Sequence, residues 1–321
     1  MHTFQETALR FEQFLQEARP FPDMPSTLYD PCRYLLSAGG KRIRPVVCMM
    51  AHEIFGDLTK DTFYAALAIE LFHNFTLIHD DIMDEAPLRR GKPTIHSRFG
   101  LAAGILSGDV MNILAYDQLS KISGQHQAEI LTIFNKTAIA VCEGQQWDMD
   151  FEKKDEVTVD EYLKMIELKT SVLLASGIQI GALIGGASPE ESGHLYAFGK
   201  NLGMAFQLQD DYLDTFGTRA LIGKQPGGDI RSNKKTFLYI KCQELANATE
   251  RKLLHQTTFT DPEEKVRQIK NIYIQTGVDK ISQALIARYS DAAFASLEKL
   301  NRQNRTIPLN DLARQLLHRQ Q

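Results

Sequence analysis

Twice along this chain an apolar stretch with helical spacing ends in the same five-residue pattern, two aspartates, two other residues and a third aspartate. Asp80-Asp81-Ile82-Met83-Asp84 follows Phe75, Leu77 and Ile78, and Asp210-Asp211-Tyr212-Leu213-Asp214 follows Met204, Phe206 and Leu208. On a helix the first and last aspartates of each cluster are four residues apart and share a face. Like charges at that spacing weaken an isolated helix, and acids at the end of a buried apolar helix are costly without a compensating cation. The fold must therefore be one in which helices carry paired acids to a place that repays them.

The rest of the sequence agrees on helices. Thr7 to Ala18 and Val278 to Leu300 show the 3.6-residue pattern, the latter through Ile281, Leu285, Tyr289 and Leu297. Thr158 with Glu161 and Ser188 with Glu191 fit capping boxes, Pro189 suits a first turn, and Asp261-Pro262-Glu263-Glu264 offers another start. Phe237 to Cys242 has strand composition but no hairpin partner. Two stretches break the helices: Gly39-Gly40-Lys41-Arg42-Ile43-Arg44-Pro45, and a basic segment from Gly217 to Lys235 rich in glycine. No Pro/Ser-rich linker and no repeat divides the chain. The expectation is one all-α domain over residues 1–321.

Composition narrows the function. The 321 residues carry 36 bases and 40 acids, a net charge of −4, which argues against a nucleic-acid partner. The longest apolar run, Leu173 to Ala187, is interrupted by Gln179 and by glycines, so it reads as a buried helix and no membrane span is expected. The amino terminus lacks the pattern of a secretory signal. Cys32, Cys48, Cys142 and Cys242 form no CxxC pair, and a reduced, cytoplasmic protein is expected.

Carboxylate oxygens suit a hard ion, and Mg²⁺ typically binds one or two carboxylates together with substrate phosphates. One cluster alone reads equally well as a solvated acidic face; two, each closing an apolar run, point to metal. Lys41, Arg42 and Arg44 after the Gly-Gly break, Arg89-Arg90 after the first cluster, Lys169-Thr170, and Lys224 and Lys234 in the glycine-rich segment are cations suited to phosphate. Together they suggest a substrate pair with two diphosphates, one held through Mg²⁺ and one directly by Lys and Arg.

Seven motifs then occur in order: GGKRIRP (Gly39–Pro45), HNFTLIHDDIMD (His73–Asp84), RRGKPTIH (Arg89–His96), GQQWDMD (Gly144–Asp150), LKTSVL (Leu168–Leu173), FQLQDDYLD (Phe206–Asp214) and GKQPGGDIRSNKKT (Gly223–Thr236). From about Tyr34 to Ile240 the chain resembles the trans-isoprenyl diphosphate synthases of the polyprenyl synthetase family. The resemblance implies a single-domain helical bundle around a central cavity, a homodimer, and three Mg²⁺ ions with substrate bound. It implies condensation of isopentenyl diphosphate with an allylic diphosphate (dimethylallyl, geranyl or farnesyl) to a C15 to C20 product. Asp80, Asp84, Asp210 and Asp214 would bind the metal, and Arg89, Lys169, Lys224 and Lys234 would contact the allylic diphosphate. Lys41, Arg44, His73 and Arg90 would hold isopentenyl diphosphate, and Thr170 and Gln207 would line the reacting end. The Gly217–Lys235 segment would close as a lid.

Three rival readings are weighed. An HD-type phosphohydrolase would use His79-Asp80 but needs further histidines, and the second cluster holds only aspartates, so His79 reads as a helix-packing residue. A class I terpene cyclase usually has Asn, Ser or Thr and Glu in its second motif, whereas here DDxxD recurs and GGKRIRP is present. A non-catalytic synthase subunit would lose one cluster, and both are intact. Product length is set in the family by bulk before the first cluster, here Phe72, Phe75 and Thr76; C15 and C20 both stay open.

Overall fold

The computed structural model describes residues 1–124, 126–218, 226–255, 259 and 261–317. It is helical almost throughout. Helices α1 (Phe4–Ala18), α2 (Ser26–Ser37), α3 (Ile43–Glu53) and α4 (Lys60–Met83) come first, followed by a hairpin of β1 (Leu88–Arg89) and β2 (Lys92–Pro93). Then come α5 (Ile95–Phe99), α6 (Leu101–Ser120), α7 (Gln127–Lys153), α8 (Val159–Ile166), a π-helical turn at Glu167–Ser171, α9 (Val172–Ile184) and α10 (Pro189–Phe216). Shorter helices at Gly228–Arg231, Phe237–Leu245 and Ala248–Leu254 precede Pro262–Gln275, Val278–Glu298 and Gln303–Leu317. The expected capping boxes at Thr158 and Ser188 form, and the Asp261 side chain caps the helix that opens with Pro262. The strand-like Phe237–Cys242 is helix, its Phe237, Leu238, Ile240 and Cys242 all buried.

The chain divides into two compact units: Met1–Lys136 with Ser176–Tyr196 and Arg302–Leu309, and Thr137–Ala175 with Ala197–Asn301 and Asn310–Gln321. In the first, α4 is buried nearly all round, through Ala65, Ala66, Leu67, Ala68, Ile69, Leu71 and Phe72, the mark of a central helix. Glycines let neighbours approach by backbone. A Cβ at Gly108 of α6 would occupy the place of the His79 ring, and one at Gly181 of α9 would overlap the Cys48 carbonyl of α3. Gly185, four residues on, faces the His52 carbonyl in the same way.

In the second unit, Phe151, Tyr162, Met165, Ile166, Met204, Leu208, Phe237, Ile240 and Ile286 form one apolar cluster, drawn from five helices. A second cluster gathers Ile230, Leu238, Cys242, Ile269, Ile272 and Tyr273. By length and composition Val159–Ile184 could cross a membrane, but 78 % of its most apolar stretch is buried inside the protein, as expected of a core helix.

Candidate active site

The first acidic cluster closes α4. Its outer members point away from the core, with Asp80 half-buried and Asp84 exposed, while Asp81 is buried. Asp81 is answered by Arg89, whose Nε donates to both carboxylate oxygens at 2.9 and 2.8 Å and whose Nη2 lies 2.8 Å from Oδ1. The hairpin makes this possible. Arg90 (φ 53°) and Gly91 (φ 74°) both occupy the left-handed region, the demand of a type I′ two-residue turn. That turn pairs Arg89 with Lys92 and sends the Arg90 guanidinium to the Gly39 carbonyl. A Cβ at Gly40 would strike that guanidinium, so the Gly-Gly break is also its seat.

Of the three bases after that break, Arg42 is structural. Buried, it donates to Glu12 and Glu70 at 2.7 Å and to the Leu36 carbonyl. Arg44 differs. Its Nη1 lies 3.3 Å from His73 Nε2, and its Nε is buried with no hydrogen-bond partner. Burial, then the charges of Arg44, Arg89, Arg90 and Arg42, hold the His73 imidazole well below its usual range, so it stays neutral. Burial also lowers Arg44 and Arg90. Cations crowded until they repel one another, one with an unsatisfied buried donor, make a site that suits an anion. Lys41 is exposed beside them in sequence. His79 packs as expected: its ring is 4.8 Å from that of Phe75 and its Nε2 3.3 Å from the Ile105 carbonyl.

The second cluster lies in α10. Asp210 is exposed, whereas Asp211 and Asp214 are buried. Asp214 Oδ2 accepts from the backbone N–H of Asp229 at 2.9 Å, tying the cluster to the Gly228–Arg231 turn. Asp211 accepts from Gln207 Nε2 at 3.0 Å and from the Tyr162 hydroxyl. Burial first, then the charge of Asp229, pushes the Asp211 carboxyl up to about 7 despite these donors. Gln207 Oε1 in turn accepts from Thr170 at 3.2 Å.

Thr170 and Lys169 sit in the π-helical turn, a rare form frequent at functional sites. Two glycines make room for it. A Cβ at Gly144 of α7 would overlap the Lys169 backbone, and one at Gly203 of α10 would come within 2.7 Å of Ser171. Lys169 Nζ donates to Asp148 Oδ2 at 2.5 Å. Lys234 is exposed, its N–H bonded to the Asp229 carbonyl, while the neighbouring Lys235 is fastened to the carbonyls of Phe151 and Lys154. Lys224, with the rest of 219–225 in the expected lid, lies outside the described residues.

Before the first cluster, Phe72 is 1 % exposed and packs against Phe134 (5.3 Å) and Phe75 (5.5 Å). Phe75 is half-buried, and the Thr76 hydroxyl donates to the His73 carbonyl at 2.8 Å. Sequence reasoning missed three things: the Tyr162–Asp211 contact, the Asp148–Lys169 pair and the π-turn. The glycine in the middle of α7 was the one available signal.

Among the described residues no three His, Cys, Asp or Glu side chains gather into a ready-made metal cage. The donor set still fits Mg²⁺, which needs few carboxylates when phosphate oxygens complete its shell. Asp80 and Asp84 stand at the end of α4 and Asp210 lies on α10, and each offers oxygen donors only.

The polyprenyl synthetase family model matches residues 25–275, a stretch that contains both clusters and every expected site residue. The chain belongs to the polyprenyl synthetase family. A geranylgeranyl diphosphate synthase of Methanosarcina mazei is 40 % identical over 271 residues, 80 % of this chain and 84 % of that one. A crystal structure of a geranylgeranyl pyrophosphate synthase matches with 42 % identity and a TM-score of 0.95 over 100 % of both chains. One from Pyrococcus horikoshii matches with 32 % identity and 0.92 over 98 % of this chain and 97 % of that one. This polyprenyl synthetase is thus a short-chain prenyltransferase with the all-α isoprenoid synthase fold. The cyclase, phosphohydrolase and non-catalytic readings find no support in these matches.

Proposed function

We propose that the chain condenses isopentenyl diphosphate with an allylic diphosphate and stops at the C20 product. The observation that carries the two-diphosphate reading is the buried, unpartnered Nε of Arg44 beside neutral His73 and crowded Arg90. These residues, with Lys41, would take the diphosphate of isopentenyl diphosphate directly. Asp80, Asp84 and Asp210, with Asp214 behind Asp210, would hold three Mg²⁺ ions against the allylic diphosphate, and Arg89, Lys169, Lys224 and Lys234 would contact the same group. Bound there, the metal supplies neutralisation of the charge that grows on the leaving oxygens.

The bond from allylic carbon to oxygen breaks, and its electron pair leaves with the diphosphate. The double bond of isopentenyl diphosphate supplies the pair for the new carbon–carbon bond, and a proton passes to the released diphosphate. Lys169 neutralises the leaving group as it departs. Thr170 and Gln207 present oxygen lone pairs to the cation, and closure of the Gly217–Lys235 segment would exclude the water that would hydrolyse it. The C20 limit rests on Phe75, an aromatic ring five residues before Asp80 that is only half-buried, with the small Thr76 beside it. Farnesyl diphosphate as the main end product would overturn the C20 limit. Chromatography of products made from isopentenyl diphosphate and each allylic primer in Mg²⁺ decides between them.

We also propose a homodimer in the reducing cytosol. The apolar Leu101, Leu106 and Ile113 of α6 are 57, 58 and 65 % exposed, more large apolar side chain than one helix normally leaves in water. A second copy would cover them. Sedimentation at micromolar concentration should give twice the 36.3 kDa chain mass.

A further inference from the structure

Gln207 can be drawn with its carboxamide either way round, because oxygen and nitrogen are nearly the same size. Its surroundings remove the ambiguity. On one side lies Asp211, whose Oδ1 accepts from the Gln207 nitrogen at 3.0 Å. The oxygen is then turned to the Thr170 hydroxyl, which donates to it at 3.2 Å. What fixes Asp211 is Tyr162: its hydroxyl donates to the other carboxylate oxygen, and its ring is 2 % exposed among Phe151, Met165 and Phe237. Tyr162 lies on α8, two turns before Thr170, and touches neither Thr170 nor Gln207 by any hydrogen bond found among the described residues.

We propose that Tyr162 and Asp211 are positioning residues that set the direction of the Gln207 carboxamide, and through it the Thr170 hydroxyl, so that both oxygens are presented to the developing allylic cation. The chain of donors runs one way. Tyr162 gives to Asp211, Gln207 gives to Asp211, and Thr170 gives to Gln207. Without the phenol, the Asp211 carboxylate loses one of its two anchors and can rotate, and the amide is free to turn its nitrogen toward the cation. An N–H dipole there would oppose the charge that Gln207 is there to favour. The inference rests on the placement of Gln207 and Thr170 at the reacting end.

The test is a double-mutant cycle with Tyr162→Phe, which keeps the ring and removes the donor. On the full-length enzyme with Mg²⁺, kcat should fall about tenfold, while KM for each diphosphate stays within about twofold. More of the allylic substrate should be lost as the alcohol, the product of water capturing a badly held cation. In a Gln207→Leu background, Tyr162→Phe should cost nothing further, since there is no amide left to orient; a second tenfold loss would overturn the proposal by showing that Tyr162 acts elsewhere. A second readout needs no substrate. With ¹⁵N-glutamine labelling, the side-chain resonance that Gln207→Leu deletes should move in Tyr162→Phe. A resonance unmoved in Tyr162→Phe would overturn the relay. A moved resonance in an enzyme whose turnover ignores Gln207→Leu would instead overturn the placement of Gln207 at the reacting end.

Discussion

The two acidic clusters share a sequence pattern and are anchored by opposite chemistry. In both, the middle aspartate turns inward: Asp81 is 3 % exposed and Asp211 8 %. Asp81 meets a cation, the Arg89 guanidinium, in a forked ion pair. Among the described residues Asp211 is hydrogen-bonded by neutral donors, a phenol and an amide, with Asp229 adding repulsion and Lys234 offsetting part of it. The third aspartates diverge too, Asp84 exposed and Asp214 buried as a cap for the Gly228–Arg231 turn. A repeated motif is therefore no guarantee of a repeated environment. Each helix solves for itself the problem of an extra acid beside its outer carboxylates.

The comparison breaks first on turnover. Asp80→Ala and Asp210→Ala should each lower kcat by orders of magnitude, because the leaving diphosphate loses part of its metal clamp. Steady-state assays that find one of the two near normal would show that the clusters do not share a task. Arg44→Ala should come next, raising KM for isopentenyl diphosphate tenfold or more while KM for the primer barely moves; equal effects would undo the division between the two diphosphates.

Stability sharpens the contrast between a charged and a neutral anchor. Arg89→Ala leaves a buried carboxylate without its cation and should cost about 3 kcal/mol. Tyr162→Phe removes one hydrogen bond to a buried carboxyl and should cost about 1 kcal/mol. Urea titration of both variants without Mg²⁺ checks the order.

The contrast also shows in pH dependence, where the two signs are opposite. Asp211 holds its proton to about pH 7 when folded, against 3.8 ordinarily, so the folded state binds more protons across that window and its contribution to stability falls as pH rises from about 4 to 7. His73 is held well below 6.5 when folded. There the unfolded state binds more protons, and stability falls as pH drops below 6.5. Asp211→Asn should remove the first slope and His73→Asn the second, measured as unfolding free energy against pH without metal. Identical changes in slope would refute one of the two environments.

Much of the site was legible because its residues announce themselves by type and order. Paired aspartates after apolar helices, cations after a Gly-Gly break, and capping boxes at Thr158 and Ser188 are local signals, and the structure reproduces each local element. The helix at Phe237–Leu245 defeats its strand-like composition because its apolar residues are buried against other helices, a tertiary fact. What stayed hidden is relational. Nothing in the spacing says that Arg42 would fold inward onto Glu12 and Glu70 while Arg44 keeps an unsatisfied nitrogen. Nor does it say that Tyr162, 49 residues from Asp211, would reach it. Two-residue strands are too short for periodicity to register, though Arg90-Gly91 was their turn signal.

The π-turn at Glu167–Ser171 has a consequence for how such a protein can be improved. It amounts to one residue more than a regular helix would hold, kept in place by the room at Gly144 and Gly203. Deleting a residue there would let Val159–Ile184 run as an unbroken α-helix with better hydrogen bonds, while Lys169 and Thr170 would swing off their partners. Glycine-to-alanine changes at 144 or 203, ordinarily favourable in helices, would press the turn the same way. Selection for heat resistance alone would thus drift toward a sturdier molecule that no longer makes product, the usual exchange where irregular backbone serves function.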